Sequence, residues 1–153
     1  MLTPILLSIH LLSAALWVGG MFFAYFALRP AAASVLEPQL RLTLWQHSFS
    51  RFFPWVWIFV LILPVSGYLM IFSLYGGMAN TPPIIHVMQL TGWSMFIIYA
   101  HLYWGPYKKM SQLLSEGKLP EAAQCLNSIR KLVAINLTLG ILTIVLASTT
   151  HFK

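Results

Sequence analysis

The stretch IIHVMQLTGWSMFIIYAH, Ile84 to His101, has eighteen residues, no charged side chain and a histidine near each end. At about 1.5 Å of rise per residue it nearly matches the roughly 30 Å hydrocarbon core of a bilayer, so it reads as a membrane span. Imidazole nitrogens in such a helix have no water to bond, so the histidines must find partners of their own.

The composition agrees with that reading. Hydrophobic residues make up 59% of the 153-residue chain and charged residues only 8%, with no aspartate and with Glu37, Glu116 and Glu121 as the acids. That leaves too little polar surface for a soluble domain of this length. Apolar runs long enough to cross a membrane occur four times, at about Pro4–Leu28, Arg51–Tyr75, Ile84–Trp104 and Leu132–Thr150. The expected fold is an all-α, four-helix membrane bundle forming a single domain over residues 1–153. The first run lacks a preceding basic residue and exceeds the usual apolar core of a signal peptide, so it is expected to be a true span.

A pI near 9.8 invites a nucleic-acid reading, but the basic residues lie in the connections and not on an aromatic-interleaved patch, so no nucleic-acid partner is expected. Arg29, Arg41 and Arg51 lie between or at the edges of the first two runs, and Lys108, Lys109, Lys118, Arg130 and Lys131 between the last two. The middle connection, GGMANTPP, has none. Short basic loops stay in the cytoplasm, which puts both termini and the middle connection outside, in the periplasm of a bacterial inner membrane. Cys125 stands alone, which excludes a disulfide framework.

The cytoplasmic connections are expected to prolong the helices, with Pro38 and Pro120 as helix starts and Gly117 as a stop. Pro54 and Pro64 should kink the second helix, and Gly67 nearby should make room for a guest. Gly19, Gly20, Gly92, Gly140 and Ala147 are candidates for close helix packing.

Depth and face select among the histidines. Measured from the outer end of each run, His10 lies roughly 9 Å down and His86 roughly 4 Å down, in one layer with His151 at the end of the fourth run. His101 lies about 26 Å down and His47 about 42 Å along its helix, so these two do not match each other or the outer layer. His86 and His101 are about 22 Å apart along one helix and cannot ligate one metal. On the first helix His10 shares a stripe with Ser13, Ala14, Trp17, Met21 and Leu28. On the third, Leu90, Trp93, Ile97, Ala100, His101 and Trp104 lie in line with His86, with Met88 and Met95 opposite, and this line is expected to face the bundle interior.

An imidazole pair in such an interior suits two guests. One is haem b, with His10 and His86 as axial ligands, His101 as a second-site candidate and Trp17 and Trp93 lining the ring; the protein would then pass electrons. The other is copper, with His10, His86, His151, Met78 and Met88 as ligands, the thioethers favouring Cu(I). For both guests, a methionine or an interfacial histidine also has an ordinary structural explanation, packing or a bond to a carbonyl. The partners expected are the lipid bilayer, a quinone or a periplasmic redox or copper protein, and a second copy of the chain. The middles of the runs carry no acid or base, which argues against a pump's proton relay, and no nucleotide or hydrolase motif occurs.

HLLSAALWVGGMFFAYFALRPA, SFSRFFPWVW with SGYLM after it, HVMQLTGWSMFIIYAHLYWGP and INLTLGILTIVLAS resemble the copper-resistance protein D family of bacterial four-span membrane proteins. They are more distantly similar to the HemJ-type protoporphyrinogen oxidases. The first likeness implies copper movement or tolerance; the second implies b-type haem, with His10 and His101 matching histidines of that type. His86 stands where that type has a lysine, and CLNSIRKLV replaces its acidic NE-x-P motif, which weighs against protoporphyrinogen oxidation.

Eight of the nine basic residues fall in the connections assigned to the cytoplasm. Reporters fused at Asn80 and at Gly117 should therefore give an outside and an inside signal, respectively. The reversed pair would invert the topology.

Overall fold

A computed structural model describes residues 2–149. Among them it holds four long helices and no strand: α1 (Leu2–Val35), α2 (Pro38–Tyr75), α3 (Pro83–Ser115) and α4 (Leu119–Thr149). Each is long and apolar enough to cross a membrane. With 34, 38, 33 and 31 residues, they run to about 47–57 Å, well beyond a hydrocarbon core of about 30 Å, so their ends project from it.

Local chemistry sets the breaks. Pro38 opens α2, where its missing N–H would have had no partner. Gly76 closes α2 at φ 70°, in the left-handed region that glycine enters without strain. The short connection that follows is tied down by its own polar groups: Asn80 Nδ2 donates to the Tyr75 carbonyl at 3.1 Å and Thr81 Oγ1 to the Gly77 carbonyl at 3.0 Å. Gly117, at φ 73°, separates α3 from α4, and α4 starts at Leu119, one residue before the expected Pro120. Pro54 and Pro64 lie inside α2 without ending it.

Two of the helices loosen at matching places. α1 widens to a π-turn over Phe23–Leu28 and α3 does so over Tyr103–Tyr107. A proline accompanies each: Pro30 just after the first, Pro106 within the second. A proline ring pushes away the carbonyl four residues back and supplies no N–H to it, and a wider turn relieves both problems.

α1 packs chiefly on α2 and α3 on α4, with α1 also touching α4. Aromatic rings fill much of the interior. Trp17 stacks on Phe96 at 5.8 Å, and Tyr99 meets Trp17, Phe53 and Trp57 edge-on at 6.1, 5.6 and 5.0 Å. The Tyr99 hydroxyl donates to the Phe53 carbonyl at 3.0 Å, joining α3 to α2 deep in the bundle. Of the small residues, Gly20 lies against the Phe52 ring, and Gly140 against Val18 and Met95.

The stripe on α1 faces inward as expected: Ser13, Trp17 and Met21 are buried. The expected face of α3 does not. Leu90, Trp93, Ile97 and Trp104 are 69%, 47%, 68% and 58% exposed, and His86 and His101 lie on the same outer side. The buried residues of α3 are Met95, Tyr99 and Leu102, with Met88 partly covered. The reason is the solvent: lipid tails are as apolar as a protein core, so a line of Leu, Ile and Trp carries no inward preference. What turns inward is the side that fits its neighbours, with Met95 against Gly140 and Tyr99 bonded to a carbonyl.

A Cβ on Gly140 would stand 2.7 Å from Val18 Cγ2 and 3.1 Å from Met95 Cε, whereas one on Gly19 would meet nothing within 4 Å. Gly140→Leu should destabilise the bundle by about 1–3 kcal/mol, as overpacking does. Gly19→Leu should leave it close to unchanged. Thermal unfolding in detergent, followed by tryptophan fluorescence, would read both; equal melting temperatures would refute the contact.

Candidate functional site

His10 is held by α2. Its Nδ1 lies 2.8 Å from Ser66 Oγ, and its Cε1 3.4 Å from where a Cβ on Gly67 would be. The space beside Gly67 thus houses the His10 ring. Ser66 Oγ also lies 2.6 Å from the Ile62 carbonyl, which can only accept. A hydroxyl has one proton; Ser66 gives it to Ile62 and accepts from His10 Nδ1–H. The neutral ring is left with Nε2 as its lone-pair nitrogen.

His86 follows the same logic at the outer end. Its Nδ1 lies 3.2 Å from Gln89 Oε1, and Gln89 Nε2 lies 3.8 Å from Met78 Sδ. The thioether can only accept, so the amide nitrogen faces it and the amide oxygen faces the imidazole, taking the Nδ1 proton. His86 therefore also keeps Nε2 free to ligate, in the orientation that a hydrogen bond on the opposite nitrogen fixes for metal-binding histidines. Met78 comes from the connection and His86 from the first turn of α3, so the site sits where the chain enters the helix.

The other residues singled out in the sequence are dispersed. Trp17 is buried among Phe96 and Tyr99. Trp93 is on the outer side, donating from Nε1 to the Tyr68 hydroxyl at 3.2 Å. His101 is exposed and lies along its own helix near Gly105. Met88 is partly buried, on another side of α3 from His86. His47 is exposed on α2, and His151 lies outside the described residues. His10 and His86 are turned to different neighbours, Ser66 of α2 and Gln89 of α3. Among the described residues no three of His, Cys, Asp and Glu gather around one point.

The interior between Trp17, Met21, Tyr99 and Asn136 encloses about 30 Å³, enough for on the order of two waters and far too little for a macrocycle. Asn136 is buried there with its Oδ1 unpartnered. A larger cleft of about 330 Å³ opens at the other end, between Gln39, Thr43, Gln46 and Ser115, and offers no soft ligand.

Ser66, Gln89, Tyr99 and Asn136 escaped the reading of the sequence. Three of the four are polar side chains inside apolar runs, the same signal that picked out the histidines, and it applies to neutral groups as well.

A profile of the family described as Copper resistance protein D matches residues 46–150, about two-thirds of the chain, leaving α1 and the start of α2 outside the match. No curated protein and no solved structure matches the chain. Four membrane-length helices together with that match establish that the chain is a multi-pass membrane protein belonging to the copper resistance protein D family.

Proposed function

We propose that the protein handles copper as its cargo at the outer membrane face, receiving Cu(I) at Met78 and His86. The observation that supports this is the bridge from His86 through Gln89 to Met78, which sets an imidazole and a thioether on either side of one amide. Nitrogen and sulfur donors of this kind suit Cu(I). A hydrogen bond from Nδ1 to Gln89 orients the ring and raises the basicity of Nε2. The weak N–H···S contact at 3.8 Å is readily given up when the sulfur takes a metal. Family membership supports the same cargo. His10, with its own Nε2 lone pair and a fixed Nδ1 bond to Ser66, is the next imidazole inward and a candidate for onward transfer. A periplasmic copper protein is the natural donor or acceptor for a site at this surface.

Haem b with electron transfer is the weaker reading. It requires His10 and His86 on one axis and a slot for a flat ring, and the packing described gives neither feature support.

Competition with a Cu(I) chelator in detergent tests the proposal. His86→Ala and Met78→Leu should each weaken Cu(I) binding on the order of tenfold or more, and Gln89→Leu should weaken it by about 10–100-fold, the usual effect of removing a ligand's orienting partner. His47→Ala should bind like the unaltered protein. A Soret band with reducible α/β bands in the purified protein, or full Cu(I) affinity in both His86→Ala and Met78→Leu, would overturn it.

A further inference from the structure

Four tryptophans from three helices are joined by ring contacts into one chain through the bundle. It starts at Trp93 of α3, which meets Phe96 with ring centroids 5.5 Å apart; Phe96 stacks on Trp17 of α1 at 5.8 Å. Trp17 then meets Tyr99 at 6.1 Å, Tyr99 meets Trp57 of α2 at 5.0 Å, and Trp57 meets Trp104 at 5.0 Å. Every step is an ordinary aromatic contact, within the range of about 4.5–7 Å, so no gap interrupts the chain.

The two ends are open and the middle is closed. Trp93 and Trp104 are 47% and 58% exposed, whereas Trp17 and Tyr99 are buried. Trp104 stands three turns of α3 beyond Trp93, about 16 Å further along the helix axis and away from the outer connection.

Packing explains large flat rings in a core, and phenylalanine would serve it without placing a polar N–H there. Packing does not require indoles, nor an unbroken run of rings from one exposed position to another. Indole is among the side chains most readily oxidised by one electron, and rings in contact pass an electron between them. Tyr99 acts as a bridge and not as a carrier. Oxidising a phenol at neutral pH requires release of its proton, and the Tyr99 hydroxyl faces the Phe53 carbonyl, which does not take one. Phe96, which is harder to oxidise than either tryptophan, bridges Trp93 and Trp17 in the same way.

We propose that Trp93, Trp17, Trp57 and Trp104 form a conduit that carries an oxidising equivalent away from the outer site and toward the other end of the bundle. A one-electron oxidant such as carbonate radical takes an electron from Trp93 and leaves as carbonate. Trp17 refills Trp93, Trp57 refills Trp17, and Trp104 refills Trp57. Trp104 then releases its indole proton to interfacial water, and a soluble thiol returns a hydrogen atom to it and becomes a thiyl radical. The place of entry gives the conduit its use. Trp93 lies two turns from His86 on the same outer side of α3, about 10 Å along the axis. Cu(I) with hydrogen peroxide and bicarbonate generates carbonate radical, and a thioether such as Met78 is readily converted to sulfoxide. That source of oxidant rests on the copper proposal; the conduit itself does not.

The first arm of the test therefore contains no copper. A ruthenium polypyridyl is attached to the full chain in nanodiscs through Val87→Cys, at an exposed position between His86 and Trp93, and is flash-oxidised with a sacrificial acceptor. Cys125 is buried and stays unlabelled. Spin trapping with mass spectrometry should place the radical on Trp104. In Trp17→Phe and in Trp57→Phe the radical trapped at Trp104 should fall severalfold and collect at Trp93. Trp55→Phe, which removes an exposed indole outside the chain, should change nothing. Each variant keeps a ring in place, so a role in packing alone would move the melting temperature and leave the radical where it was; Trp57, only half-buried, serves if Trp17→Phe does not fold. A radical that stays on Trp93 in the otherwise unaltered chain, or full arrival at Trp104 in Trp57→Phe, would overturn the conduit. The second arm loads the unlabelled protein with Cu(I) and adds hydrogen peroxide and bicarbonate, and Met78 sulfoxide should rise severalfold in Trp57→Phe. Absence of bound Cu(I) would overturn the copper proposal and leave the first arm standing, and equal sulfoxide in both proteins would overturn the protective use.

Discussion

Inside a bilayer every backbone N–H and C=O must be satisfied within its own segment, because no water is there to do it. That constraint makes the chain helical almost throughout, and it also removes the usual force for assembling helices, since lipid is as good a solvent for leucine as a neighbouring helix is. Cohesion then falls to close contact and to a few polar links. Phe52 lies against Gly20, and Val18 and Met95 against Gly140. Tyr99 bonds the Phe53 carbonyl, Thr91 bonds Thr143 at 2.7 Å, and His10 bonds Ser66 at 2.8 Å. Each of these joins two different helices. Together they fix the bundle where burial of apolar area cannot.

The same constraint explains what could be read in the sequence. Helix ends could, because they depend on local chemistry: Pro38, Gly76 and Gly117 act through φ and a missing N–H whatever the surroundings. The face of α1 could, because Ser13 and His10 mark it with polar groups that need partners. The face of α3 could not. Its longest line of large apolar residues meets lipid, while the packed side is defined by Tyr99 and Met95, whose roles depend on Phe53 and Gly140 in other helices. His86 and Met78 stood together among the candidate copper ligands, but the residue that links them did not. Seven residues and a helix boundary lie between them in sequence, and Gln89, a turn further along α3, touches both.

His10 and His86 are held by different groups yet reach the same chemical state. A serine that has spent its proton on a carbonyl and an amide that has turned its nitrogen to sulfur both accept from Nδ1. Each bond turns its ring toward one neighbour, His10 toward Ser66 and His86 toward Gln89. The polar groups of the outer connection, Asn80 and Thr81, are meanwhile committed to shaping the turn that presents Met78.

The two π-turns also set the angular relation between the halves of their helices. A π-turn holds one residue more than the α-turn it replaces, so everything beyond it is turned by about 100° relative to an unbroken helix. In α1 this falls between Met21, which faces the core, and Arg29; in α3 it falls between Tyr99 and the basic pair Lys108 and Lys109. One wheel diagram cannot describe either helix from end to end. The two halves of each helix are phased separately, and a one-residue deletion within either turn would rephase them while preserving every helix.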